Sequence, residues 1–115
     1  RGKQPYLVRI RDAELFGMGG LWERWESSET GEVIESCAIL TTRPNSVVGA
    51  LHDRMPVIIS PDSYPLWLDP GIGSQEELTP LMAPYPDEAT VIQPVSLDVN
   101  NPANDNPAVL QPEEG

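Results

Sequence analysis

The residues most suited to chemistry form the run His52-Asp53-Arg54, which sets the chain's single histidine beside a carboxylate and a guanidinium, directly ahead of the apolar stretch Met55-Pro56-Val57-Ile58-Ile59. A strand entrance is a rigid place to hold a proton donor or acceptor. A free imidazole titrates near pH ~6.5, so neighbouring charge decides its state at neutral pH, and general acid/base work is the chemistry this spacing suits. The plainer reading is structural: Asp53 and Arg54 pair with each other, an exposed contact contributing about 0 to 1 kcal/mol, and His52 is one more hydrogen-bonded surface residue.

Two other runs carry reactive or binding groups. Cys37 with His52 is a thiolate and imidazole combination of the kind a thiol hydrolase uses. Cys37 lies within Ile34-Glu35-Ser36-Cys37-Ala38-Ile39-Leu40, however, an apolar strand in which a cysteine acts as a small buried hydrophobe. Trp22-Glu23-Arg24-Trp25 could stack unpaired bases on its indoles. Alternation along a strand instead puts Trp22 and Arg24 on one face and Glu23 and Trp25 on the other, one tryptophan in a core and one partly exposed.

Positioning these groups falls to short elements. Tyr6-Leu7-Val8-Arg9-Ile10 reads as a strand, Arg11-Asp12-Ala13 as a turn, and residues 14–23 as the returning strand of a hairpin, with Gly17, Gly19 and Gly20 marking a bulge or a close backbone approach. Residues 33–42 form a third strand, which Arg43-Pro44-Asn45 stops. Asn45 or Ser46 then caps a short helix through Val47, Val48, Ala50 and Leu51, which delivers His52 to a helix-to-strand junction. A strand over residues 55–60 follows. Ser60-Pro61-Asp62 caps a helix that anchors Leu66, Trp67 and Leu68 in the core. Ser74-Gln75-Glu76-Glu77 has the form of a capping box opening a helix through Leu81. Residues 91–96 make a short strand, and residues 100–107 are turn chemistry throughout. Strands outnumber short helices, which gives a β-rich α+β class.

With 115 residues the chain is one domain or part of one, and 39% hydrophobic residues supply a core of modest size. No stretch is apolar for long enough to cross a bilayer, and Arg1-Gly2-Lys3-Gln4-Pro5 is no signal peptide. The lone Cys37 has no internal disulfide partner, which fits a reducing, cytoplasmic setting. One histidine and one cysteine assemble no zinc site of ordinary spacing, and no phosphate-cradling glycine loop is present, so neither a metal nor a cofactor is expected. The net charge of -11 argues against a nucleic-acid partner until its distribution is considered. All seven basic residues fall within the first 54 positions, against eight acids, whereas from Met55 onward there are ten acids and no base. A basic groove using Arg43 and Arg54 is therefore compatible with the composition.

Taken in order, Lys3-Gln4-Pro5-Tyr6, Gly20-Leu21-Trp22-Glu23, Leu40-Thr41-Thr42, His52-Asp53-Arg54-Met55-Pro56, and Pro94-Val95-Ser96 with Val99-Asn100-Asn101 resemble the C-terminal half of the SOS-response-associated peptidase (SRAP) family. The resemblance reaches to about Pro112, so it implies a single domain part over residues 1–112 and an acidic tail over residues 113–115. It implies a barrel-like, β-rich α+β fold with short helices. It also implies a protein that forms DNA-protein cross-links with abasic sites in single-stranded DNA. In that family a cysteine exposed by removal of the initiator methionine captures the ring-opened sugar aldehyde, first as a Schiff base and then as a thiazolidine. An asparagine, a glutamate and the histidine of the His-Asp-Arg-Met-Pro motif assist. Carried onto this sequence, His52 is the acid/base at the sugar oxygen, Arg54 a phosphate contact, and Thr41 a hydroxyl donor lining the site.

The sequence departs from the family pattern where the nucleophile should be. It has no leading Met-Cys and no catalytic asparagine segment. Glu23, despite its Trp-Glu-Arg-Trp setting, matches a family position other than that of the functional glutamate. The resemblance thus implies one half of a longer protein, with the lyase-like or peptidase-like activity belonging to the whole and this segment inactive alone. Two rival readings stand beside it: an acidic, non-enzymatic interaction module built on the base-free second half, and a thiol hydrolase using Cys37 and His52.

Overall fold

The computed structural model describes residues 4–71 and 75–112. Among these described residues, eight short strands and three short α-helices are joined by 3₁₀ turns, and the strand pairs are all antiparallel. β1 (Tyr6–Ile10) pairs with β8 (Thr90–Pro94), with Tyr6 opposite Pro94 and Ile10 opposite Thr90. The expected hairpin between the first strand and residues 14–23 is therefore replaced by a pairing some eighty residues apart. The turn after Ile10 does form, with Asp12 in the left-handed region at φ 61, a conformation aspartate tolerates. It sends the chain away from β1 instead of back along it.

The hairpin of this molecule lies one step later. β3 (Gly20–Glu26) and β4 (Val33–Ile39) pair in full register from Gly20 opposite Ile39 to Glu26 opposite Val33. Their turn is closed by hydrogen bonds between Ser27 and Glu32 and between Gly31 and Ser27.

Three chain segments bend at one junction. β2 (Gly17–Met18) runs into β3 at Gly19, β4 runs into β5 (Thr41–Thr42) at Leu40, and β6 (Met55–Pro56) runs into β7 (Ile58–Ile59) at Val57. Gly19 N–H donates to Val57 O at 2.7 Å, Leu40 N–H to Gly19 O at 2.9 Å, and Val57 N–H to Leu40 O at 2.9 Å. This closed ring of backbone bonds lets each segment change partners as it bends. β2 pairs with β7, β3 with β4, and β5 with β6, which is how strands turn the corner of a barrel-like sheet.

The glycines expected to mark a close approach do so here. A Cβ on Gly19 would lie 3.0 Å from both Trp67 Cζ2 and Val57 Cγ1, and one on Gly20 would lie 2.9 Å from the Ala38 carbonyl oxygen. Backbone yields less readily than a side chain, so Gly20→Ala is expected to cost about 1 to 3 kcal/mol. Gly49→Ala, whose nearest neighbour is Pro44 Cγ at 3.6 Å, should change stability by less than about 0.5 kcal/mol. Thermal unfolding of the two variants side by side checks this.

The core is small: Ile10, Val48, Met55 and Ile58 pack together, with Val8, Ala13, Phe16 and Tyr85 against them. Val57, Ile59 and Val95 are also buried. α2 (Tyr64–Leu68) follows a 3₁₀ turn at Pro61–Ser63 and covers the junction with Trp67. Leu68, expected in the core with Leu66 and Trp67, is exposed, because five residues of helix turn only one face inward. α3 (Gln75–Leu78) tightens into a 3₁₀ turn at Thr79–Met82, where Pro80 has no N–H to continue an α-helical ladder. Ser74, the expected cap of that helix, and the acidic residues 113–115 lie outside the described residues. Beyond β8, Asn101, Asn104 and Asn106 make the side-chain bonds expected of turn residues.

Candidate active site

The segment carrying His52 is held from beneath by one buried amide. Asn45 caps α1 (Ser46–Gly49) by accepting from Val48 N–H at 2.9 Å, and is itself 9% exposed. Its Nδ2 donates to the Tyr85 carbonyl at 2.7 Å and to Thr90 Oγ1 at 3.0 Å, and its backbone N–H reaches Met55 Sδ at 3.3 Å. Asp87 adds a second anchor by accepting from Ser46 N–H at 2.7 Å. Leu51 and His52 then both donate their N–H groups to Val48 O, closing the helix end. The sequence pattern offers Asn45 or Ser46 as the cap, and it is Asn45 that serves. Its clamp on Tyr85 and Thr90, forty and more residues away, has no local signal.

His52 therefore sits at the expected helix-to-strand junction, between α1 and β6. Its side chain is 69% exposed. Nδ1 accepts from Arg54 N–H at 3.1 Å and lies 3.3 Å from Asp53 Oδ1. The two contacts belong to different protonation states. In the neutral ring Nδ1 accepts from Arg54 and the proton is on Nε2; in the charged ring Nδ1 donates to Asp53. Backbone and carboxylate thus provide alternative partners for one nitrogen and leave Nε2 to solvent or substrate.

Arg54 and Thr41 meet across the β5–β6 pair. Arg54 Nε donates to Thr41 Oγ1 at 3.2 Å, and Nη2 donates to both Thr41 Oγ1 at 2.9 Å and Thr41 O at 2.7 Å. The fork fixes the guanidinium while Nη1 makes no hydrogen bond among the described residues, so it is free to meet an anion. With two donors on its oxygen, the Thr41 hydroxyl has its proton left to give. Of the three sequence-predicted residues, Arg54 and Thr41 are thereby brought together at the β5–β6 pair, His52 is tied to the Arg54 backbone just ahead of it, and all three are exposed.

Cys37 is elsewhere, on the β3–β4 ribbon, and shares no hydrogen bond with His52. It is exposed, contrary to the burial its apolar surroundings suggest. Trp22 and Trp25 are both exposed as well, at 72% and 55%, where one was expected in a core. The reason is the same for all three residues: the ribbon alternates as expected, yet no element among the described residues covers Trp22, Trp25 or Cys37.

The SOS response associated peptidase (SRAP) family model matches residues 1–102. The chain belongs to the SRAP family. Its SRAP relatives include the abasic site processing protein YoqW of Bacillus subtilis, 34% identical over 95% of this chain and 48% of the relative. Another is the abasic site processing protein HMCES of Xenopus tropicalis, 34% identical over 94% of this chain and 33% of the relative. A crystal structure of a protein from Bacteroides thetaiotaomicron superposes with a TM-score of 0.84 at 30% identity, covering 98% of this chain and 50% of that one. The SRAP chain described here spans about half the length of the bacterial relatives it matches. No helix among its described residues is long and apolar enough to cross a membrane.

Proposed function

We propose that this SRAP chain is the C-terminal half of a cytoplasmic protein that cross-links covalently to abasic sites in single-stranded DNA, the nucleophilic cysteine lying in the other half. The observation that carries the reading is the exposed Arg54–Thr41 pair with His52 fixed beside it through the Arg54 backbone, each with a group left to serve a ligand. The α-amine of the leading cysteine condenses with the aldehyde of the opened sugar, releasing one water, and its thiol adds across the resulting C=N bond to close a thiazolidine. His52 Nε2 gives a proton to the sugar ring oxygen as the ring opens and recovers it on reversal. Arg54 Nη1 contacts a backbone phosphate, and the Thr41 hydroxyl donates to the sugar or phosphate beside it.

The hold of Thr41 on the guanidinium supports an electrostatic role for Arg54. It is the last basic residue in this sequence, with ten acids after it. Arg54→Ala is expected to weaken binding to single-stranded DNA of every sequence and to lower the slope of log affinity against log salt by about 0.7, the value for one phosphate that the protein no longer neutralises. A salt titration of binding measures it; an unchanged slope would mean that Arg54 serves only to hold Thr41.

The cross-link itself is read on a denaturing gel with the complete protein. A slow-migrating band is expected on single-stranded DNA with one abasic site and not on the undamaged strand. A complete protein with a leading cysteine that gives no such band overturns the assignment.

A further inference from the structure

The chain exposes far more surface than its mass accounts for. Its accessible surface is 8763 Å², where a folded monomer of 12.6 kDa should expose about 6,200 Å². Its radius of gyration is 17.8 Å, against about 13 Å for a compact domain of this length. The excess area, about 2,500 Å², is of the size buried in obligate interfaces.

The β3–β4 ribbon is exposed on both faces. Trp22, Cys37 and Ile39 stand on one face, and Leu21, Trp25, Ile34 and Ala38 on the other, and all of them are exposed. Among the described residues, β3 and β4 pair only with each other, so both outer edges offer free N–H and C=O groups. A two-stranded ribbon with two apolar faces and two open edges is marginal in water and prone to pair with whatever strand it meets. It needs a cover on both sides.

We propose that this ribbon is the docking surface for the polypeptide forming the other half of the relatives' length, which lays apolar side chains on both faces and adds strands to the edges, closing the barrel begun at the Gly19, Leu40 and Val57 junction. The inference rests on the reading of this chain as one half of a longer protein. That occupant is favoured because this chain covers 50% of a solved neighbour yet superposes on it with a TM-score of 0.84. The neighbour thus keeps this half's shape in the presence of as much polypeptide again. Cys37 then passes from an exposed thiol to a covered one.

The test is pulse labelling of the complete protein with N-ethylmaleimide, read peptide by peptide by mass spectrometry in native buffer and in denaturant, with adduct formation on abasic DNA followed in a parallel, unlabelled aliquot of the same preparation. Cys37 should label at least about tenfold more slowly in the native protein than in denaturant. A thiol placed on the other face, Trp25→Cys in a Cys37→Ser background, should be protected likewise. An adduct formed while Cys37 labels at its denatured rate overturns the docking surface and leaves the functional reading standing. Protection of both thiols with no adduct supports the docking surface and overturns the functional reading. Protection that fades on dilution as a dimer dissociates assigns the surface to a second copy and overturns the proposal, as does a gene encoding these residues alone.

Discussion

Replacing His52 with alanine in the complete protein should slow adduct formation at saturating abasic DNA by roughly 10²- to 10⁴-fold, the range a positioned proton-transfer group supplies, while leaving the initial DNA affinity nearly unchanged. The split follows from the geometry. Nδ1 is occupied by Arg54 N–H or Asp53, so the nitrogen that meets the sugar is Nε2, and its removal takes away a proton path but no phosphate contact. Single-turnover kinetics separate the two effects. A normal rate in His52→Ala would make the imidazole a structural cap on the Arg54 backbone. Slow reaction with equally weakened binding would place it in DNA contact.

The second large effect is expected at Asn45, a residue that touches no substrate. Asn45→Ala removes two bonds donated by Nδ2, one buried and one half-buried, and orphans Val48 N–H. The loss of a cap together with unsatisfied buried partners is expected to cost about 3 kcal/mol, or on the order of 10 °C or more in unfolding midpoint. Asn45→Asp discriminates between two accounts. As a simple helix cap, aspartate is as good as asparagine. In this buried setting it has no N–H to give and sets a carboxylate against the Tyr85 carbonyl and the Thr90 hydroxyl, so it should be destabilised about as strongly as the alanine variant. Because the same amide fixes α1 beneath His52, both variants should also form the adduct more slowly at temperatures where they remain folded. Thermal unfolding and single-turnover assays on one set of proteins check both claims.

The local elements are legible where a residue pattern determines them. The apolar, β-branched stretches from 33 to 42 and from 55 to 60 form strands, a cap at Asn45 or Ser46 opens a helix, and His52 emerges at its far end. What the sequence does not encode locally is partnership. The turn at Asp12 suggests a hairpin, yet β1 takes its partner from Thr90–Pro94, a pairing set by the tertiary path. The bends at Gly19, Leu40 and Val57 divide what read as continuous strands, and only Gly19 signals its bend. Cys37, Trp22 and Trp25 show the converse failure. Their apolar surroundings mark a face in need of cover, but nothing in these residues supplies the cover. Arg54 stands out from its place beside His52, but its phosphate role and Thr41 altogether are legible through the family resemblance alone, and their mutual hydrogen bonds, which hold the guanidinium with Nη1 making no hydrogen bond among the described residues, emerge only from the β5–β6 register.

The covalent bond proposed between the complete protein and an abasic sugar is read from intact mass. Incubated with single-stranded DNA bearing one abasic site, and with no reductant added, the protein should acquire the mass of one oligonucleotide less one water, as closure of a thiazolidine requires. It should keep that mass under denaturing conditions. Recovery of the unmodified protein mass after incubation with intact abasic DNA would contradict the account.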